Sequence, residues 1–159
     1  MSSSKLLILG ALLSVSLLIS TTGVSDESAE SRGRYLVEIG GCNDCHTAGY
    51  AMSNATIPES EWLAGDILGY RGPWGTTYPP NLRMYMQQLS EDDWVTVAKT
   101  LQTRPPMPWW ALHAMSADDL RALYRFIRSL GPVDKEIPAY VPPGQMPAPP
   151  YVQWPAPPE

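Results

Sequence analysis

Only two cysteines, two histidines and one phenylalanine occur in the 159 residues, and Lys and Arg together number 11. Two cysteines cannot build a disulfide framework or a four-cysteine zinc site. Sixteen acids against those 11 bases leave a formal charge of −5, with no basic stripe and no phosphate-cradling glycine loop, so a nucleic-acid role is disfavoured. Long apolar runs are missing too. The one run that exists, residues 6–19, is fourteen residues long and too short for a ~30 Å hydrocarbon layer. Extending it to Val24 only admits Ser20, Thr21, Thr22 and Gly23. With Lys5 ahead of it and small polar residues behind, the run reads as an export signal over 1–25, cleaved near Gly23 or Ser25, rather than a retained anchor. Its removal takes away Lys5 and no acid, moving the charge from −5 to −6. An acidic exported protein prefers partners that carry a basic patch.

What is present is one dense motif, Cys42-Asn43-Asp44-Cys45-His46. In C-x-x-C-H, two thiols can add to the two vinyl groups of a haem, and the adjacent imidazole then lies directly under the iron. The competing readings are a lone C-x-x-C disulfide and a thioredoxin-like redox pair. The second expects a βαβ surround, which the pattern around Cys42 does not offer. The motif therefore predicts one covalent haem c on Cys42 and Cys45, with His46 as an axial iron ligand.

Helical punctuation surrounds the motif. Residues 29–39 predict a first helix with Tyr35, Leu36 and Ile39 on one side, stopped by Gly40-Gly41. Ser90 stands three residues before Asp93, and Ser116 three before Asp119, both as helix caps. After Ser90, Trp94, Val97, Ala98 and Leu101 follow helical spacing; after Ser116, Leu120, Leu123, Tyr124 and Ile127 do, and Gly131-Pro132 closes the helix. Residues 58–63 suggest a short helical turn. Residues 69–80 hold three glycines and three prolines and read as a loop. The expected fold is all-α, with about three to five helices and long loops, and a haem would add hydrophobic mass to a small core.

A second axial ligand is sought among methionines and the remaining histidine. Met107 lies in Arg104-Pro105-Pro106-Met107-Pro108-Trp109, where proline stiffening would hold a thioether at little entropic cost. Methionine suits low-spin iron and raises its potential, so Met107 ranks first, with His113 and Met115 as rivals.

The run from Arg32-Gly33-Arg34-Tyr35-Leu36 through Cys42–His46, the Met107-Pro108 loop and the closing Asp118-Asp119-Leu120-Arg121-Ala122-Leu123-Tyr124-Arg125-Phe126-Ile127 resembles a class I-type c-type cytochrome, a single-haem bacterial cytochrome c domain, over about 28–132. The likeness is closest to the cytochrome domains that accompany membrane-associated dehydrogenases. It implies thioethers at Cys42 and Cys45, His46 and Met107 as proximal and distal ligands, and first and last helices crossing at Gly33 under Leu123 and Phe126. Arg71, Trp74, Tyr78, Asn81 and Arg83 are candidates to reach the haem propionates.

Residues 133–159 are different material. From Pro132 to the end, ten of twenty-eight residues are proline, which predicts polyproline II and neither a shared core nor an iron ligand. Two roles are open: a docking arm gripping a partner through Tyr140, Tyr151 and Trp154, or else a strap lying over the domain or a loose tail. The resulting expectation is a periplasmic one-electron carrier between redox proteins and not an enzyme, touching a membrane only through a partner or an uncleaved signal. The alternatives are a haem subunit of a membrane-associated dehydrogenase, or an open-site haem enzyme or gas sensor, for which the sequence offers no distal acid–base pair.

Overall fold

Two serines start the two best-formed helices of the computed structural model, which describes residues 26–154. The export segment expected over 1–25 lies outside the described residues. Chain order is α1 (Asp26–Ile39), α2 (Cys42–His46), 3₁₀ turns at Ala51–Ser53 and Glu59–Glu61, β1 (Gly69–Gly72), β2 (Gly75–Thr77), α3 (Leu82–Gln87), α4 (Glu91–Thr100), α5 (Trp109–Ala114), α6 (Ala117–Ser129) and β3 (Tyr151–Gln153). The chain is helix-rich as expected, but a three-stranded sheet corrects the all-α expectation, and among the described residues six α-helices stand where three to five were predicted. The helices that the pattern missed, α2, α3 and α5, have five or six residues each and are too short to display a period.

Ser90 caps α4 with a complete capping box: its hydroxyl accepts from the Asp93 amide, and the Asp93 carboxylate accepts from the Ser90 amide and hydroxyl. Ser116 accepts from the Asp119 amide at 3.0 Å, while the Asp119 carboxylate turns to Arg32 on α1 at 2.9 Å. Both carboxylates are held below their usual range, Asp93 by Ser90 and Asp119 chiefly by Arg32. The unfolded chain therefore takes up protons first, so this stabilisation is full above about pH 4 and drains as pH falls through the folded values. Asp93→Asn and Asp119→Asn should each flatten the fall of the urea midpoint below about pH 4; a slope unchanged from wild type would contradict the assignment.

Helices α1 and α6 cross at Gly33. A Cβ there would lie 2.1 Å from the Ala122 carbonyl oxygen and 2.6 Å from Phe126 Cβ, so the two backbones approach as only glycine allows. Phe126 is the expected neighbour, the Ala122 backbone comes closer still, and Leu123 is buried in the same core. The buried side of α1 is Gly33, Leu36 and Val37, whereas Tyr35 and Ile39 are exposed. A hydrophobicity pattern misplaces this stripe because its first member is a glycine. Leu63, Met86, Leu120 and Val37 fill the centre of the core, and Trp94 reaches the Leu120 carbonyl with its indole N–H at 2.8 Å.

The glycine- and proline-rich stretch after residue 69 is a hairpin rather than a loop. Tyr70 pairs with Thr77, Arg71 with Thr76 and Gly72 with Gly75, leaving Pro73-Trp74 as a two-residue turn. Gly75 takes φ +96°, which suits its place at the end of that turn. The chain after Pro132 then clasps this hairpin on both edges. Val141 exchanges two backbone bonds with Thr76 of β2, and β3 lies parallel to β1 along the opposite edge. Of the two roles open to this segment, the structure shows the strap for residues 133–154.

Candidate functional site

The Gly40-Gly41 pair ends α1 and turns the chain straight into α2. The Gly40 amide closes on Leu36 at 2.9 Å, and Gly41 takes the left-handed φ of +65° immediately before Cys42. One turn of helix then sets Cys42, Cys45 and His46 at i, i+3 and i+4, on one face. Both cysteines are free thiols and half-buried. Burial, aided by neighbouring Asp44 and Cys45, pushes the Cys42 thiol up to about 11, so it is neutral at physiological pH. Tyr70, on β1, lies beside Cys45, and burial, with that neighbour, holds its phenol well above the ordinary value.

His46 is buried, with Nδ1 2.9 Å from the Pro80 carbonyl oxygen. A carbonyl can only accept, so Nδ1 carries the proton and Nε2 keeps its lone pair, the form a metal requires. Burial holds the imidazole below its ordinary pKa, against the opposing pull of the Pro80 bond, so it stays neutral. Its own carbonyl accepts from the Gly65 amide at 2.7 Å. Thr47 adds a third fixture: its hydroxyl donates to Asn43 Oδ1 at 2.7 Å and accepts from the Leu63 amide at 2.8 Å. Pro80, Gly65 and Thr47 were absent from the sequence reading. Nothing in a sequence marks which carbonyl or amide will face a given ring.

Met107 is half-buried, and its side chain and that of Cys42 pack against the same apolar core. The loop that carries it is tied down on both sides of the proline pair: Thr77 donates to the Pro105 carbonyl at 2.9 Å, and the Trp109 amide to the Met107 carbonyl at 2.9 Å. Of its rivals, His113 commits Nε2 to the Leu101 carbonyl at 2.9 Å and stacks against Trp109. Met115 also rests on the core, and its carbonyl accepts from Lys99.

Three of the candidate propionate donors are used elsewhere. Arg83 is buried and donates to the carbonyls of Gly131 at 2.6 Å, Ser60 at 2.8 Å and Leu130, closing the C-terminal end of α6. Asn81 caps α3 through the Met84 amide and donates to the Val133 carbonyl at 2.8 Å. Arg71 bonds Gln153 at 2.7 Å. Tyr78 lies with its ring over Gly69. Trp74 differs: among the described residues its buried indole N–H has no partner, and neither has the buried hydroxyl of Thr76, a residue the sequence did not single out. Asn43 Nδ2 is a third such atom, inside the C-x-x-C motif itself.

Buried donors without partners are uncommon and point to a group they would serve. Two thiols on one helical face, a neutral imidazole with Nε2 free and unpartnered donors on the hairpin beside Tyr70 together fit a covalently tethered haem. No family model, curated protein or solved structure matches this chain. None of the described helices is long and apolar enough to cross a membrane.

Proposed function

We propose that this chain is a single-haem c-type cytochrome, exported to the periplasm, that carries one electron between redox proteins. The observation that carries the reading is His46: it sits one position after a C-x-x-C pair on a single helical turn, with its tautomer fixed by Pro80 so that Nε2 is the free nitrogen. The close crossing of α1 and α6 at Gly33 supports the cytochrome c fold that the sequence resembles. When bound, the haem would supply a reversible one-electron couple. Cys42 and Cys45 would tether it, His46 and Met107 would ligate its iron, and Trp74 and Thr76 would donate to its propionates. Asp44, exposed between the two cysteines, and Asp66, near Tyr70, make the tethering edge negative, which suits a partner with a basic patch.

The test is expression with export and haem attachment. Acidified organic solvent should fail to extract the chromophore, and the intact mass should exceed the processed chain by one haem. Met107→Ala should keep the attachment, abolish the weak long-wavelength charge-transfer band of methionine-ligated ferric haem, and lower the potential by on the order of 0.2 V, within the ~0.8 V that axial ligands span. An apo mass with a Cys42–Cys45 disulfide would defeat the reading. Ready carbon monoxide binding with peroxidase turnover by the unaltered protein would replace the carrier with an open-site enzyme.

A further inference from the structure

The strap meets the Met107 loop at Tyr140. Tyr140 lies on the strap immediately before Val141, which is locked to Thr76 by two backbone bonds. Its hydroxyl donates to the Trp74 carbonyl at 2.7 Å, pinning it to the hairpin turn. Across its ring face lies the Arg104 guanidinium, 3.8 Å from the ring centroid and three residues before Met107. On the other side of Arg104, the Pro105 carbonyl accepts from Thr77 of β2. The loop is thus held to the sheet at two adjacent points, one of them supplied by the segment after Pro132. Upstream, the same segment is anchored by Lys135, whose ammonium donates to the Gly65 carbonyl, and by Val133, whose carbonyl accepts from Asn81.

We propose that Tyr140 is a positioning residue for the Met107 loop, and that the strap thereby sets how readily an exogenous ligand displaces Met107 from the haem iron. The inference rests on the cytochrome reading and on Met107 as ligand. A ligand such as imidazole binds only when the loop has swung open, so its apparent affinity equals its intrinsic affinity times the open fraction. Removing the cation–π contact raises that fraction, whereas the iron and its intrinsic affinity are unchanged.

Imidazole titration of the ferric holoprotein, followed by loss of the long-wavelength band, reads this directly. Tyr140→Ala should raise imidazole affinity about three- to tenfold, with the band still present before titration. Tyr140→Phe keeps the ring under Arg104 and should stay within about twofold of wild type. A chain ending at Ala148 lacks β3 but retains Tyr140; it should lose stability while its imidazole affinity stays within about twofold. Equal affinities for wild type and Tyr140→Ala would overturn the proposal, as would an affinity gain in the Ala148-terminated chain as large as that in Tyr140→Ala. Absence of the band from wild type itself would instead defeat the Met107 assignment on which the proposal rests.

Discussion

Ending the chain at Pro132 should lower the melting temperature by roughly 10–20 °C and leave the covalent haem attached. The β1–β3 ladder disappears, and with it four further backbone bonds: Gly69 to Pro150, Arg71 to Trp154, and the pair between Thr76 and Val141. Four side-chain bonds go with them, from Asn81 to Val133, Lys135 to Gly65, Tyr140 to Trp74 and Arg71 to Gln153. At about 1 kcal/mol net each, less the entropy regained by the freed segment, the loss is about 3–5 kcal/mol. A domain of this size converts that to the stated shift. Both edges of the hairpin are then bare, and Ile137, whose Cδ1 lies in van der Waals reach of Gly65, no longer covers the Gly65 backbone that bonds to His46. Differential scanning calorimetry of the two chains, with haem stained on a denaturing gel, checks both halves of the expectation. A melting temperature within about 3 °C of wild type would show that the segment is a loose tail.

Gly33→Ala should be nearly as damaging from a single methyl group. The added carbon would meet the Ala122 carbonyl oxygen at 2.1 Å, and a backbone atom cannot rotate aside. Helices α1 and α6 would have to separate by about 1 Å, opening the packing of Leu36, Val37 and Phe126 around the crossing. Overpacking against a backbone atom belongs at the top of the usual range, about 3 kcal/mol, and alanine returns about 1 kcal/mol through its better helix propensity, so the net loss should be about 2 kcal/mol. Urea unfolding of the holoprotein measures it. A gain in stability would mean that the helices do not cross at this point. Leucine at the same position should prevent folding altogether.

What could be read from the sequence, and what could not, divides by the range of the interaction. The Ser90 and Ser116 caps, the stripe of α6 and the attachment motif are local: each is fixed by residues within four positions of one another. The hairpin was missed because its strands are three and four residues long and are completed by Val141 and β3 from far along the chain. Arg83 looked like a donor for an anionic ligand because its charge is visible in the sequence. The three carbonyls that absorb it belong to Ser60, Leu130 and Gly131, which no pattern connects to it. Of the site, Cys42, Cys45 and His46 were legible. The Pro80 carbonyl that selects the histidine tautomer was not, since every residue carries one.

The strap's prolines have a consequence for the chain's behaviour before and during folding. A short mixed sheet with open edges is a template for a second molecule to add its own strand. Here the outermost positions are Val141, followed at once by Pro142 and Pro143, and the three residues of β3, preceded by Pro149 and Pro150 and followed two positions later by Pro155. A proline has no amide hydrogen to offer a new ladder, so neither edge can be lengthened into a run long enough to recruit a neighbour. The residues that look least structural in the sequence are the ones that stop the sheet from growing into an aggregate.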